Sequence, residues 1–167
     1  MTGDMPSSER SGVALAATSG HTDHRMEIRS FDAGDEQAVL TLWERCGLIR
    51  PWNNPREDIR RKFQVRRDLF LVGTVNGRIV ATVMAGYEGH RGWVNYLAVA
   101  PEHRRSGLAR KLMVDVEGRL RASGCPKINL QIRSDNVEAV GFYRAIGYSE
   151  DDVISMGKRL EDDRRHA

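Results

Sequence analysis

The chain has 167 residues, 40% of them hydrophobic and 29% charged, with a formal net charge of +3. That size and balance fit one globular domain with a real core, and so small a charge does not by itself argue for nucleic acid. No apolar run approaches the ~20 residues of a membrane helix, and the patch at residues 12–17 is too short, and follows too closely on Asp4 and Glu9, for a signal peptide. Cys46 and Cys125 stand far apart without metal-ligand spacing, which fits a reduced, cytoplasmic chain that binds no metal and packs its cysteines inside.

Residues 1–25 are rich in Ser, Thr, Gly and His and have no period, so they read as a disordered leader, with Met26 as an alternative start. The alternation over Met26–Phe31 predicts a strand. Asp32 and Asp35 then offer caps for a helix carrying Val39, Leu40, Leu42 and Trp43 and ending near Gly47. Asn54 as a cap with Pro55 in the first turn predicts a second, strongly basic helix to about Gln64, read as a solvated face. Asn76-Gly77 between two apolar runs predicts a hairpin over residues 69–86.

After a loop at Tyr87–Gly92, residues 94–113 read as an apolar strand, a basic turn with one glycine, and an amphipathic helix with Leu108, Leu112, Val116 and Leu120 at four-residue steps. A strand feeding such a turn into a helix start suits a phosphate: first-turn N–H groups are unpaired and carry partial positive charge, and glycine admits an anion closely. Residues 127–133 predict a further strand. A helix follows, capped within Ser134–Asn136, with Asp135 and Glu138 at capping-box spacing, and ends at Gly147. Asn136, Ala139 and Tyr143 share one face of it, with Phe142, Ala145 and Ile146 toward the core. Residues from Tyr148, including Val153–Met156, predict a last strand, and 161–167 a charged tail. The domain thus spans 26–160, an α/β mixture with one crossover around the basic turn.

Two stretches together resemble the GNAT superfamily of acetyl-CoA-dependent N-acetyltransferases. Arg104-Arg105-Ser106-Gly107-Leu108-Ala109 matches its cofactor motif, and Asn136, Ala139, Phe142, Tyr143, Gly147 and Tyr148 match its second motif. Within that superfamily, segments such as Leu42–Cys46, Arg50–Asn53 and Gly124–Ile128 resemble the bacterial YpeA acetyltransferases. The resemblance implies a GNAT fold, with a mixed, mostly antiparallel sheet of about six to seven strands flanked by about four helices. It also implies an N-acetyltransferase using acetyl-CoA and an amine acceptor, with a homodimer left open.

For the site, the resemblance implies pantetheine along Leu97, Ala98 and Val99, and pyrophosphate on Arg104, Arg105, Ser106, Gly107, Leu108, Ala109 and Arg110. It adds Asn136 and Tyr143 on the cofactor side, an oxyanion donor among the backbone N–H groups near Val99, and Tyr143 as the acid for the leaving thiolate. Where some members carry a glutamate, this chain has Gln131, which takes no proton; Glu88 and His90 are the alternative base candidates, and an exposed loop pair is the other account of them. Arg50 and Trp52 lie in the loop that borders the acceptor in this superfamily, and Trp52 alternatively pins that loop to the core. A coenzyme A-binding protein without catalysis and a protein that uses its basic helix on acidic partners both stay open.

Overall fold

A computed structural model describes residues 25–162, so the expected leader lies almost wholly outside the described residues. The strands are β1 (Glu27–Ser30), β2 (Phe70–Val75), β3 (Arg78–Tyr87), β4 (Gly92–Val99) and β5 (Ile128–Leu130). The helices are α1 (Glu36–Arg45), α2 (Pro55–Gln64), α3 (Leu108–Ala122) and α4 (Val137–Ala145). The strands form one five-stranded sheet in the order β1-β2-β3-β4-β5, antiparallel except where β5 lies parallel to β4.

The helices form where the sequence provides caps and apolar stripes. Asn54 accepts hydrogen bonds from the Arg56 and Glu57 amides, and Pro55 occupies the first turn. Val39, Leu40, Leu42 and Trp43 of α1 and Leu108, Leu112, Met113, Val116 and Leu120 of α3 are buried. Both helices pack on β3 and β4, and β2 is buried along its whole length, as befits a strand covered on both faces. The cap of α4 is the Asn136 side chain, which accepts from the Ala139 amide, in place of the expected Asp135–Glu138 box. Ala145 is exposed; Phe142, Tyr143, Ile146 and Tyr148 are the residues that pack on the core.

The sheet has five strands in place of the expected six to seven, because Val153–Met156 does not join it. Lys127 pairs with Asp151 at 2.5 Å and the Gln131 amide donates to the Ser155 hydroxyl, but these are side-chain ties without a ladder. Val153, Ile154, Met156 and Leu160 are left exposed.

One register shift dominates β4. Thr82 pairs with Ala98 and Met84 with Asn95, so Tyr96 and Leu97 together face Val83. Tyr96 takes φ +51°, a left-handed conformation that costs a non-glycine residue about 1–2 kcal/mol. Four contacts hold it there. Its ring stacks on Trp43 with centroids 3.9 Å apart. Its carbonyl accepts from the buried Thr82 hydroxyl at 3.0 Å. Its phenol donates to Asp58 at 2.5 Å and accepts from the Asn53 amide at 2.7 Å. Trp43 Nε1 donates to Thr82 Oγ1 at 2.9 Å and closes the network. In a trans peptide the N–H points opposite the C=O, so the Leu97 N–H is directed away from β3.

The basic helix is not a uniformly solvated face. Arg56 pairs with Glu36 and Arg60 with Glu57, while Lys62 is half-buried with its ammonium close to Gly86 of β3. Burial lowers Lys62 to about 8. Between that value and the 10.5 of the free side chain, the unfolded chain binds a proton that the folded chain does not. Folding stability therefore rises with pH across that window, and the cost is complete below it.

Lys62→Met is expected to stabilise the protein by about 1 kcal/mol at pH 7, allowing for the water that still reaches the ammonium; the gain shrinks toward pH 10 when both proteins are unfolded in denaturant. Thr82→Val, which orphans Trp43 Nε1, is expected to cost about 2 kcal/mol in the same assay, and Thr82→Ser clearly less. Equal losses for the two variants would show that the hydroxyl does not hold the bulge.

Candidate active site

The bulge lies beside an opening in the sheet. β5 pairs with β4 only through Gly92, Trp93 and Val94, opposite Ile128, Asn129 and Leu130. β4 runs on from Asn95 to Val99 with no partner on that side among the described residues, so the two strands part where the bulge begins. Leu97 and Val99 are half-buried and Ala98 is buried, so all three expected pantetheine residues border this gap.

At the end of β4 the chain turns through Pro101–His103 into α3. Arg104 Nε reaches back to the Val99 carbonyl at 3.3 Å, and the Ser106 hydroxyl donates to the His103 carbonyl. Gly107 caps α3 at φ +81° with no side chain to occupy the first-turn amides, and a Cβ there would meet nothing within 4 Å. Leu108 is buried beneath this turn, Ala109 is half-buried, and Arg104 and Arg105 are exposed around it. The cradle is thus open, cationic and lined by backbone donors, the combination an anion needs. Arg110 is turned aside, donating to the Ala145 carbonyl at 3.2 Å and tying α3 to the end of α4.

Tyr143 of α4 sits half-buried against the rings of Phe142 and Tyr148, 5.1 and 5.4 Å away. Burial pushes its phenol up to about 12, so it stays protonated throughout the physiological range. It lines a groove of about 1060 Å³ between β5, α4 and the residues that follow α4. Asn129 Oδ1, in the same groove, is buried without a hydrogen-bond partner among the described residues. A ligand N–H would satisfy it. Asn136 uses its Oδ1 on the helix cap.

Glu88 and His90 are not brought to this place. Both are exposed; the Glu88 carboxylate accepts from the amides of His90 and Arg91 at 3.1 and 2.6 Å and so closes its own turn. That turn precedes β4, roughly 16 Å by strand rise from the bulge at Leu97. Trp52 does not pin its loop to the core: it is 45% exposed, and the Arg133 guanidinium lies 5.3 Å over its ring. Arg50, exposed on the same loop, gives its backbone N–H to Asn53 Oδ1 at 3.0 Å.

The residues that the sequence did not announce are Tyr96, Asp58, Asn53 and Thr82. Asp58 is an acid within a basic helix, which is a signal of sorts. Nothing in a strand of alternating residues marks Tyr96 as the bulge.

Comparison with known proteins gives a consistent picture. The Acetyltransferase (GNAT) family profile matches residues 37–148. An acetyltransferase of Pectobacterium atrosepticum is 52% identical over 84% of this chain and 100% of its own length. The ribosomal-protein-alanine N-acetyltransferase of Escherichia coli superposes with a TM-score of 0.65 at 25% identity, over 76% of this chain and 79% of that one. AAC(6')-Iy, solved with a bisubstrate analogue of coenzyme A, shares the fold at a TM-score of 0.66 and 19% identity, over 81% of this chain and 99% of its own. The split between β4 and β5, the side-chain-free cap of α3 and the profile that spans both motifs place this chain in the GNAT family of acetyltransferases.

Proposed function

We propose that this acetyltransferase moves the acetyl group of acetyl-CoA to a primary amine by direct attack, with no covalent intermediate on the protein. The observation that carries this reading is the unpaired edge of β4 from Asn95 to Val99, followed by one turn that leads into the Gly107 cap. A pyrophosphate suits the first-turn amides of α3 with Arg104 and Arg105, and the amides of a pantetheine arm suit the open strand edge and the orphaned Asn129 oxygen. Bound there, acetyl-CoA supplies an activated acetyl group and a thiolate leaving group.

The chain's own residues then have distinct tasks. The Leu97 N–H, turned away from β3 by the bulge, is the donor for the oxyanion that develops on attack. Asp58, linked to Tyr96 Oη beside the bulge, is the carboxylate that takes a proton relayed from the amine; Gln131, just past the end of β5, has no such capacity.

Tyr143 donates to the departing sulfur. A phenol at about 12 cannot simply give up its proton to a thiolate, whose ordinary value is about 8.5; the mismatch amounts to about 5 kcal/mol. The phenol therefore keeps its proton and acts as a hydrogen-bond donor to the sulfur, and the thiolate takes up the proton that left nitrogen by way of Asp58. The balance is one proton lost by nitrogen and one gained by sulfur.

Turnover of acetyl-CoA against a panel of primary amines tests this. Tyr143→Phe is expected to lower kcat about 100-fold with little change in the KM for acetyl-CoA, whereas Gly107→Ala is expected to weaken coenzyme A binding about tenfold. Wild-type kcat/KM is expected to rise with pH as the acceptor loses its proton, without a fall from Tyr143 ionisation below pH 11 or so. Tight coenzyme A binding with no turnover of any amine would establish the non-catalytic alternative.

A further inference from the structure

The loop between α1 and α2 crosses the gap in the sheet. Asn53 reaches Tyr96 on the β4 side, and its neighbour Trp52 meets Arg133, which lies just beyond the end of β5. Two consecutive residues thus touch β4 and the segment that follows β5, on either side of the opening that begins at the bulge.

The two contacts bring opposite charges to this opening. Asp58 is bonded to Tyr96 Oη, with its side chain 26% exposed. Arg133 lies with its guanidinium on the Trp52 face. Stacking holds the guanidinium plane while leaving its N–H edge free. Among the described residues the Arg133 side chain makes no hydrogen bond; its Nε stands 3.9 Å from Asp135 Oδ1, and its two terminal nitrogens are unused. A planar, pre-oriented fork with unused donors is the arrangement that takes a carboxylate in bidentate fashion. Arg50, exposed on the same loop, is a second cation on it.

We propose that Arg133, laid against Trp52 across the mouth of this gap, binds the carboxylate of the acceptor, and that the acceptor is a free amino acid whose ammonium end lies toward Asp58. The inference rests on the acetyl-transfer reading of the gap and names the substrate class for it. It sets free amino acids apart from peptide N-termini, which offer a neutral amide at the same position.

The test measures kcat/KM at saturating acetyl-CoA for leucine, glutamate and lysine, each beside its carboxamide and its decarboxylated amine. Wild type is expected to favour at least one free amino acid over its two derivatives by tenfold or more. Arg133→Gln is expected to erase that preference through KM, Arg133→Lys to restore part of it, and acetyl-CoA affinity to report that both variants are folded. Equal use of amino acids and derivatives by wild type would overturn the inference while leaving acetyl transfer intact. An equal loss on all three forms in Arg133→Gln would make Arg133 structural and overturn it as well. Acetyl-CoA binding with no amine acetylated would bring down both this inference and the enzymatic reading.

Discussion

The hydrogen bond from the Thr82 hydroxyl to the Tyr96 carbonyl is the constraint on which the site depends. It fixes one carbonyl toward β3 and thereby sends the Leu97 N–H the other way. A left-handed tyrosine in mid-strand is unfavourable by itself, and the surrounding contacts offset it: a stacked tryptophan below, a carboxylate and an amide at the phenol. Because Trp43 and Asp58 come from α1 and α2, the two helices that precede the hairpin position the bulge of β4.

The same bulge coincides with the parting of β4 from β5. One edge of β4 is thus left with backbone groups to offer a ligand, and the strand ends at a helix cap with no side chain in the way. One edge results that runs from the helix cap along β4 to the bulge, with the Trp52–Asn53 loop touching it there.

Much of this was legible in the sequence because it is local. Asn54-Pro55, Asn76-Gly77 and the stripe Leu108–Leu120 each specify their element through neighbours a few residues apart, and the structure forms all of them. The cradle was legible for the same reason, since a glycine at the start of a helix has a local meaning. The bulge was not, because what holds Tyr96 comes from residues 14 to 53 positions away: Thr82, Asp58, Asn53 and Trp43. The last strand was over-read. Val153–Met156 has the composition of a strand, but strand formation needs a partner edge, and β5 pairs over three residues only. Trp52 was open to either account, and only its contact with Arg133, 81 positions along the chain, decides that it faces the mouth and not the core.

The central claim is that the bulge frees the Leu97 N–H for the acetyl carbonyl. Residue-resolved amide hydrogen exchange on the free protein and with acetyl-CoA addresses it most directly. The account predicts that Leu97 exchanges quickly in the free protein, faster than Ala98 paired to β3, and becomes protected when acetyl-CoA binds. A Leu97 amide already protected in the free protein, or left unprotected at saturating acetyl-CoA, would contradict it.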